Sequence, residues 1–304
     1  MKKGESMSTT TMKARVTSFA PQFLIDELER SIAYYQKIGF SFGEPWDGFY
    51  AIGHLDGLEV HLKEAPKNQT ERQWRRDNEH LDASAGVDGI EAFYERCVAN
   101  DVTIIKPLAA TAWATKDFYI EDPDGYIISF GGSPAAGEPA AAPDGRVRDM
   151  NSTKAASTPA TREGASKNLT SISPFFIVEN LYASISYYIE RMGFQLDFQG
   201  PEGDPYYGRV SRDGIGIMLK AVLPDVLPRP NHTRHEWARW DAYIYTLDPD
   251  TLFNEFKQRG ASFVIELSFI DQGLWGFEVT DADGYVLAFF KVRKEQGIPM
   301  ERQA

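Results

Sequence analysis

One cysteine, Cys97, among 304 residues excludes an intrachain disulfide and fits a reducing, cytoplasmic setting. No apolar run approaches the ~18 residues that a membrane-spanning helix needs. The opening, Met1–Met12, is polar and has no hydrophobic region, so no secretory signal is expected. Basic residues are in deficit, with 32 Lys and Arg against 44 Asp and Glu. The deficit falls on two stretches. Residues 14–132 hold 11 basic and 20 acidic side chains, and residues 169–292 hold 10 and 17. Acidic surfaces repel nucleic-acid phosphates and anionic lipids, so the expected partner is a small molecule, with no nucleic acid and no membrane. Also missing are a Gly-rich phosphate loop, a Gly-x-Ser-x-Gly elbow and a Cys-x-x-Cys pair. Their absence points away from the common nucleotide-binding, hydrolase and redox classes.

What the sequence does contain is itself, twice. Thr17-Ser18-Phe19-Ala20-Pro21 aligns with Thr170-Ser171-Ile172-Ser173-Pro174, and Ser31-Ile32-Ala33-Tyr34-Tyr35 with Ser184-Ile185-Ser186-Tyr187-Tyr188, both at an offset of 153. Asp82-Ala83 then matches Asp241-Ala242, and Asp122-Pro123-Asp124-Gly125-Tyr126 matches Asp281-Ala282-Asp283-Gly284-Tyr285, at an offset of 159. The predicted organisation is a disordered N-terminus (1–13), a first module (14–132), a flexible linker (133–168), a second module (169–292) and a C-terminal tail (293–304). The linker is dense in Ala, Pro, Gly, Ser and Thr, a composition that cannot offset the entropy of ordering.

Within the first module the periodicity predicts a strand over 14–25 and a helix over Leu28–Ile38 with Gly39 as its cap. Short strands follow near 40–46, 49–54 and 57–63. The pattern then recurs as a strand over 80–87, a helix over 90–99, and strands near 102–107, 117–121 and 126–130. Each module is thus two βαβββ units, an α+β class, and Cys97 reads as a small packing residue of the second helix.

The run Ser31-Ile32-x-Tyr34-Tyr35 … Gly39-Phe40 … Trp113 … Phe118 … Asp122-Pro123-Asp124-Gly125-Tyr126, repeated in the second copy, resembles the glyoxalase/bleomycin resistance/extradiol dioxygenase superfamily. The resemblance implies tandem vicinal-oxygen-chelate modules, each of two βαβββ units forming an open, cup-like half-barrel. With both modules on one chain it implies an intrachain pseudo-dimer with two non-identical cups.

Enzymes of that family hold a divalent metal, and three of the usual positions carry over. They fall on Ala20 and Ser173, on Asp82 and Asp241, and on Ser129 and Ala288. One carboxylate per module remains, whereas Zn, Fe or Mn need about three or four donors. No metal or other cofactor is therefore expected. The alternative is a metal in the first cup only, if Glu59 and His61, which share a strand face, converge with His80 and Asp82. The second copy has Gly216, Met218, Arg239 and Asp241 there and cannot follow. That alternative implies a lyase or dioxygenase, or else a metal-free enzyme using Asp82 as base. His232, His235 and Glu236 read as solvated loop. The lone Asp82 and Asp241 can act as bases, neutralise a cation or simply bond neighbouring backbone.

Aromatic residues make up 13% of the chain and gather near the cup-forming segments, where they suit a planar ligand. The candidate ligand-binding residues are Trp46, Tyr50, His61, Trp74, Asp82, Trp113, Tyr207, Trp237, Trp240 and Asp241. The expected function is sequestration of a small planar or cationic molecule in metal-free cups, in the manner of a bleomycin-resistance protein. The competing readings are an enzyme of the same superfamily and a scaffold with vestigial cups.

Overall fold

The computed structural model describes residues 15–65, 80–111, 114–134, 168–222, 226–235, 237–270 and 273–293. Trp74, Trp113, Glu236 and nearly all of the linker expected at 133–168 lie outside the described residues.

Four βαβββ units follow one another. The first is β1 (Val16–Ile25), α1 (Leu28–Ile38), β2 (Ser41–Phe42), β3 (Tyr50–Leu55) and β4 (Leu58–Glu64). The second is β5 (Ala83–Val87), α2 (Ile90–Ala99), β6 (Ile104–Ala110), β7 (Lys116–Glu121) and β8 (Ile127–Gly132). The third is β9 (Leu169–Ile177), α3 (Leu181–Met192), β10 (Gln195–Gly200), β11 (Tyr207–Arg212) and β12 (Ile215–Lys220). The fourth is β13 (Ala242–Thr246), α4 (Pro249–Arg259), β14 (Ser262–Ile270), β15 (Leu274–Thr280) and β16 (Val286–Val292).

Local chemistry explains the boundaries. Leu28, Ser31, Tyr34, Tyr35 and Ile38 bury one face of α1, at the spacing of a helix lying on a sheet. Gly39 stops the helix at φ 120°, its N–H reaching the Tyr35 carbonyl. The strand expected over 40–46 shortens to Ser41–Phe42, because Gly43 weakens it and Pro45 offers no N–H to a ladder. In the second module, Asn180 and Asp248 cap α3 and α4 through Ala183 N–H and Thr251 N–H.

Two eight-stranded sheets result, each of two units, and neither closes into a barrel. The first runs β14-β15-β16-β13-β1-β4-β3-β2 and the second β10-β11-β12-β9-β5-β8-β7-β6. The units that share a sheet come one from each module: units 1 and 4 in the first, units 2 and 3 in the second. The hand-over happens inside β1 and β9. Val16–Pro21 pairs antiparallel with β13, and Gln22–Ile25 pairs parallel with β4. Likewise Leu169–Pro174 pairs with β5 and Phe175–Ile177 with β12. Pro21 and Pro174 sit at the change of partner, where a missing N–H costs least.

The helices cover one face of each sheet, and there the two main apolar cores largely follow the modules. One gathers Phe23, Leu62, Phe93, Phe118 and Phe130, the other Phe176, Tyr188, Phe256, Phe277 and Phe289. The Asp-x-Asp-Gly-Tyr turns clamp the units of a module together. Asp122 Oδ1 accepts from Asp124 N and Tyr126 N, Tyr35 Oη donates to Asp122 Oδ2, and Ser31 Oγ donates to Asp124. Asp281 and Asp283 repeat the arrangement with Tyr188 and Ser184. Burial pushes the Asp281 carboxyl up to about 7. Cys97 is fully buried in the first core, its thiol pushed up to about 11 by that burial.

Candidate functional site

Side chains alternate along a strand, so residues opposite the helix-facing core line the open face of each sheet. In the first sheet that face carries Gln22 from β1, Tyr50 from β3, Glu59, His61 and Lys63 from β4, Tyr243 and Tyr245 from β13, Glu278 from β15 and Phe290 from β16. Tyr50 Oη lies 2.5 Å from His61 Nδ1. The His61 ring stands 5.0 Å from Tyr243, and Tyr243 touches Trp240, Tyr245 and Phe290 at ring distances of 5.7, 4.8 and 5.7 Å. This aromatic wall is nearly dry: Tyr243 is 4% exposed and Phe290 0%.

Polar groups punctuate that wall. Glu278 is fully buried and matched: Arg239 grips both its oxygens at 2.6 Å, and Trp240 Nε1 donates to it at 2.7 Å. Lys63 Nζ sits 4.5 Å above the Trp237 ring and 5.9 Å from Trp240. Burial, with Arg239 adding to it, lowers this ammonium to about 8. Gln22 Oε1, Glu59 Oε2 and His61 Nε2 are buried with no hydrogen-bond partner among the described residues; the last two are 3.7 Å apart. Burial lowers the His61 imidazole below its ordinary value, and Glu59 only partly opposes this. His61 in turn holds the Glu59 carboxyl below its usual range. Near neutral pH the pair is therefore a neutral imidazole beside a carboxylate.

The second sheet answers with different chemistry. Tyr207 stands where Tyr50 stands in the first, next to Tyr206 and Phe198, but Phe175 replaces Gln22, Gly216 replaces Glu59 and Met218 replaces His61. Across the middle of the sheet, Ser84, Ser129, Gly86 and Gly131 hold the places of Tyr243, Ala288, Tyr245 and Phe290.

The candidate residues thus divide. The structure brings Tyr50, His61 and Trp240 together in the first cup, with Trp237 at its rim, 44% exposed and edge-on to Phe49. Trp46 leans on Tyr50 but is 52% exposed. Asp82 and Asp241 precede β5 and β13 and spend their carboxylates on backbone. Asp82 Oδ2 accepts from Ile127 N at 2.9 Å, and Asp241 accepts from Asn231 N and Val286 N at 2.7 and 2.8 Å. With His80 and Arg234 they line one void of about 30 Å³ where β1 passes β9, enough for a water or two and not for an organic ligand. Burial pushes the Asp241 carboxyl up to about 8.

The four-residue cluster that the alternative metal reading requires in the first cup does not form. Glu59 and His61 belong to the first sheet, whereas His80 and Asp82 lead into the second. The exchange of units between modules parts them. Among the described residues no three His, Cys, Asp or Glu converge. The first cup offers Glu59 and His61 alone, with His61 Nδ1 already engaged by Tyr50, and Ala20 and Ala288 supply no donor. This donor set does not fit the divalent metal that the fold implies. Sequence reasoning missed Gln22, Tyr243, Tyr245, Glu278 and Phe290. The alternation in Ala242-Tyr243-Ile244-Tyr245 was a signal that two tyrosines share one face.

Residues 20–130 match the family model described as Glyoxalase/Bleomycin resistance protein/Dioxygenase superfamily. No curated protein sequence matches the chain. Among solved structures, glyoxalase I from Zea mays is 13% identical at a TM-score of 0.57, covering 92% of each chain. A point mutant of that protein is similar at 0.60 and 13%, with the same coverage. A putative dioxygenase from Bacillus subtilis subsp. subtilis str. 168 is 10% identical at 0.59, covering 92% of this chain and 86% of its own. At such identities the likeness is one of fold, and it extends over both modules.

Proposed function

We propose that this chain, which belongs to the glyoxalase/bleomycin resistance protein/dioxygenase superfamily, binds a small planar molecule with hydrogen-bond donors in its first cup, without a resident metal, and holds it rather than transforming it. The supporting observation is the trio of buried, unpartnered polar atoms, Gln22 Oε1, Glu59 Oε2 and His61 Nε2, set against the Tyr243–Phe290 wall. Each unsatisfied buried polar group costs about 1–3 kcal/mol, and native structures keep few of them. A ligand whose N–H groups reach Gln22 and the ionised Glu59 while its ring lies on the aromatic wall removes that cost. It also gains ~0.5–1.5 kcal/mol per ring contact. Micromolar binding needs about 8 kcal/mol in total.

The test uses the full chain after exhaustive chelation and a planar cationic dye, acridine orange, as probe. Tryptophan quenching should saturate with one dye per chain, unchanged by chelator and weakened at least tenfold by Glu59→Gln. Stoichiometric Zn, Fe or Mn in the purified protein, with binding lost on chelation and restored by the ion, sinks the metal-free reading. A second reading, a metal-free enzyme of the same superfamily, takes its acid–base groups from the Tyr50–His61–Glu59 chain rather than from Asp82, whose carboxylate is engaged with backbone. Turnover lost in Tyr50→Phe with binding retained identifies that case.

A further inference from the structure

The position of one proton makes the first cup more selective than a flat apolar slot. Tyr50 Oη and His61 Nδ1 are 2.5 Å apart, and a neutral imidazole carries its single proton on one nitrogen or the other. With the proton on Nδ1, the Tyr50 hydroxyl receives it and has no acceptor for its own hydrogen among the described residues. The bare lone pair of Nε2 then stands 3.7 Å from the Glu59 carboxylate, which repels it. With the proton on Nε2, the hydroxyl donates to Nδ1 and an N–H faces the carboxylate. Both contacts become attractive, so Nε2 is the protonated nitrogen.

That N–H is nevertheless unspent. At 3.7 Å it is too far from Glu59 Oε2 for a hydrogen bond, and neither atom has another partner among the described residues. Two adjacent ligand atoms close such a gap, a lone pair for Nε2–H and an N–H for the carboxylate. Gln22 adds a third point. It is the register partner of His61 on β1. Its Nε2 donates to the Trp240 carbonyl at 3.0 Å, which fixes the amide and leaves Oε1 as a second bare acceptor. His61 and Gln22 are 1% and 3% exposed, whereas the Glu59 side chain is 23% exposed and meets solvent. The cup therefore offers one donor and two acceptors, beside the Tyr243 ring 5.0 Å from the imidazole. The complement is a flat edge with one acceptor and two donors.

We infer that the guest of the first cup is a neutral aromatic nitrogen heterocycle with an amino group on each side of a ring nitrogen. The ring nitrogen accepts from His61 Nε2, and the amino groups donate to Glu59 and Gln22. This rests on reading the first cup as a metal-free binding site. The experiment is calorimetric titration of the full chain with three purines methylated at N9, which differ only along one edge: diaminopurine, with two flanking amino groups, adenine, with one, and hypoxanthine, with a carbonyl beside a ring N–H. Diaminopurine should saturate at one per chain and bind at least fivefold more tightly than either of the others. Gln22→Met, which keeps the bulk and removes the acceptor, should bring it within twofold of adenine. Nitrogen NMR of the histidine rings in the unmutated chain should show His61 protonated at Nε2, a readout that needs no variant to fold. A proton on Nδ1, equal binding of the three purines, or a diaminopurine preference that survives Gln22→Met overturns the inference. If acridine orange binds as expected and diaminopurine does not, the inference falls and the first-cup reading stands; if neither binds, both fall.

Discussion

The two cups descend from the same pair of units, yet each has dispensed with what the other kept. In the first, the unit-1 strands supply Gln22, Glu59 and His61, while the unit-4 strands supply Tyr243, Tyr245 and Phe290. In the second, the unit-3 strands present Phe175, Gly216 and Met218, while the unit-2 strands present Ser84, Gly86 and Gly131. Polar and apolar roles are exchanged across the pseudo-dyad. The lesson is that the sheet fixes where a side chain points, whereas divergence between repeats decides what the cup contains. A repeat therefore predicts geometry far better than it predicts ligand.

The comparison breaks most readily at its floor. Tyr243→Ala removes a buried ring and should destabilise the chain by about 3–5 kcal/mol, the range for large aromatic truncations. Ser84→Ala at the matching position should stay within about 0.5 kcal/mol. Chemical denaturation of both variants measures the contrast, and equal effects would mean that the first cup is not self-packed. The junction between the cups gives a smaller effect with a definite sign. Asp241 titrates from 3.8 to about 8 on burial, so between those pH values the folded state holds a proton that the unfolded chain has released. Stability should therefore decline as pH rises through that window. Asp241→Asn should flatten the slope, leaving the part due to Asp281, whose shift has the same sign. Unfolding free energies at pH 5 and pH 8 decide it. Smallest of all, Trp46→Ala at the exposed rim should move the melting free energy by less than about 0.5 kcal/mol. A large loss there would show that the rim is structural.

Much of this was legible beforehand. The offsets of 153 and 159 correctly pair Ala20 with Ser173 and Ser84 with Tyr243, because a repeat preserves strand register. The helix over Leu28–Ile38 follows from apolar spacing that only a helix satisfies. Hidden was the identity of each strand's neighbour. Alternation says that Glu59 and His61 share a face, but it cannot say that His80 and Asp82 belong to another sheet, since strand pairing is a long-range choice that local periodicity does not record. The Asp-Pro-Asp-Gly-Tyr motif, which carried the family resemblance, proves to be a clamp between α1 and the last turn of the module. Its two carboxylates are occupied by Ser31, Tyr35 and backbone amides. The most recognisable residues in the chain hold its architecture and lie outside both cups.

The hand-over at Pro21 and Pro174 has a consequence for how the molecule comes apart. Each sheet is continuous across both halves of the chain, while each apolar core is largely private to one half. Neither half can therefore melt alone without stripping the pairing from β1 and β5, or from β9 and β13, and baring two sheet edges at once, the kind of surface that seeks another strand. The cooperative unit of unfolding is the whole chain, and a half set free would be complete again only in the company of a second copy of itself.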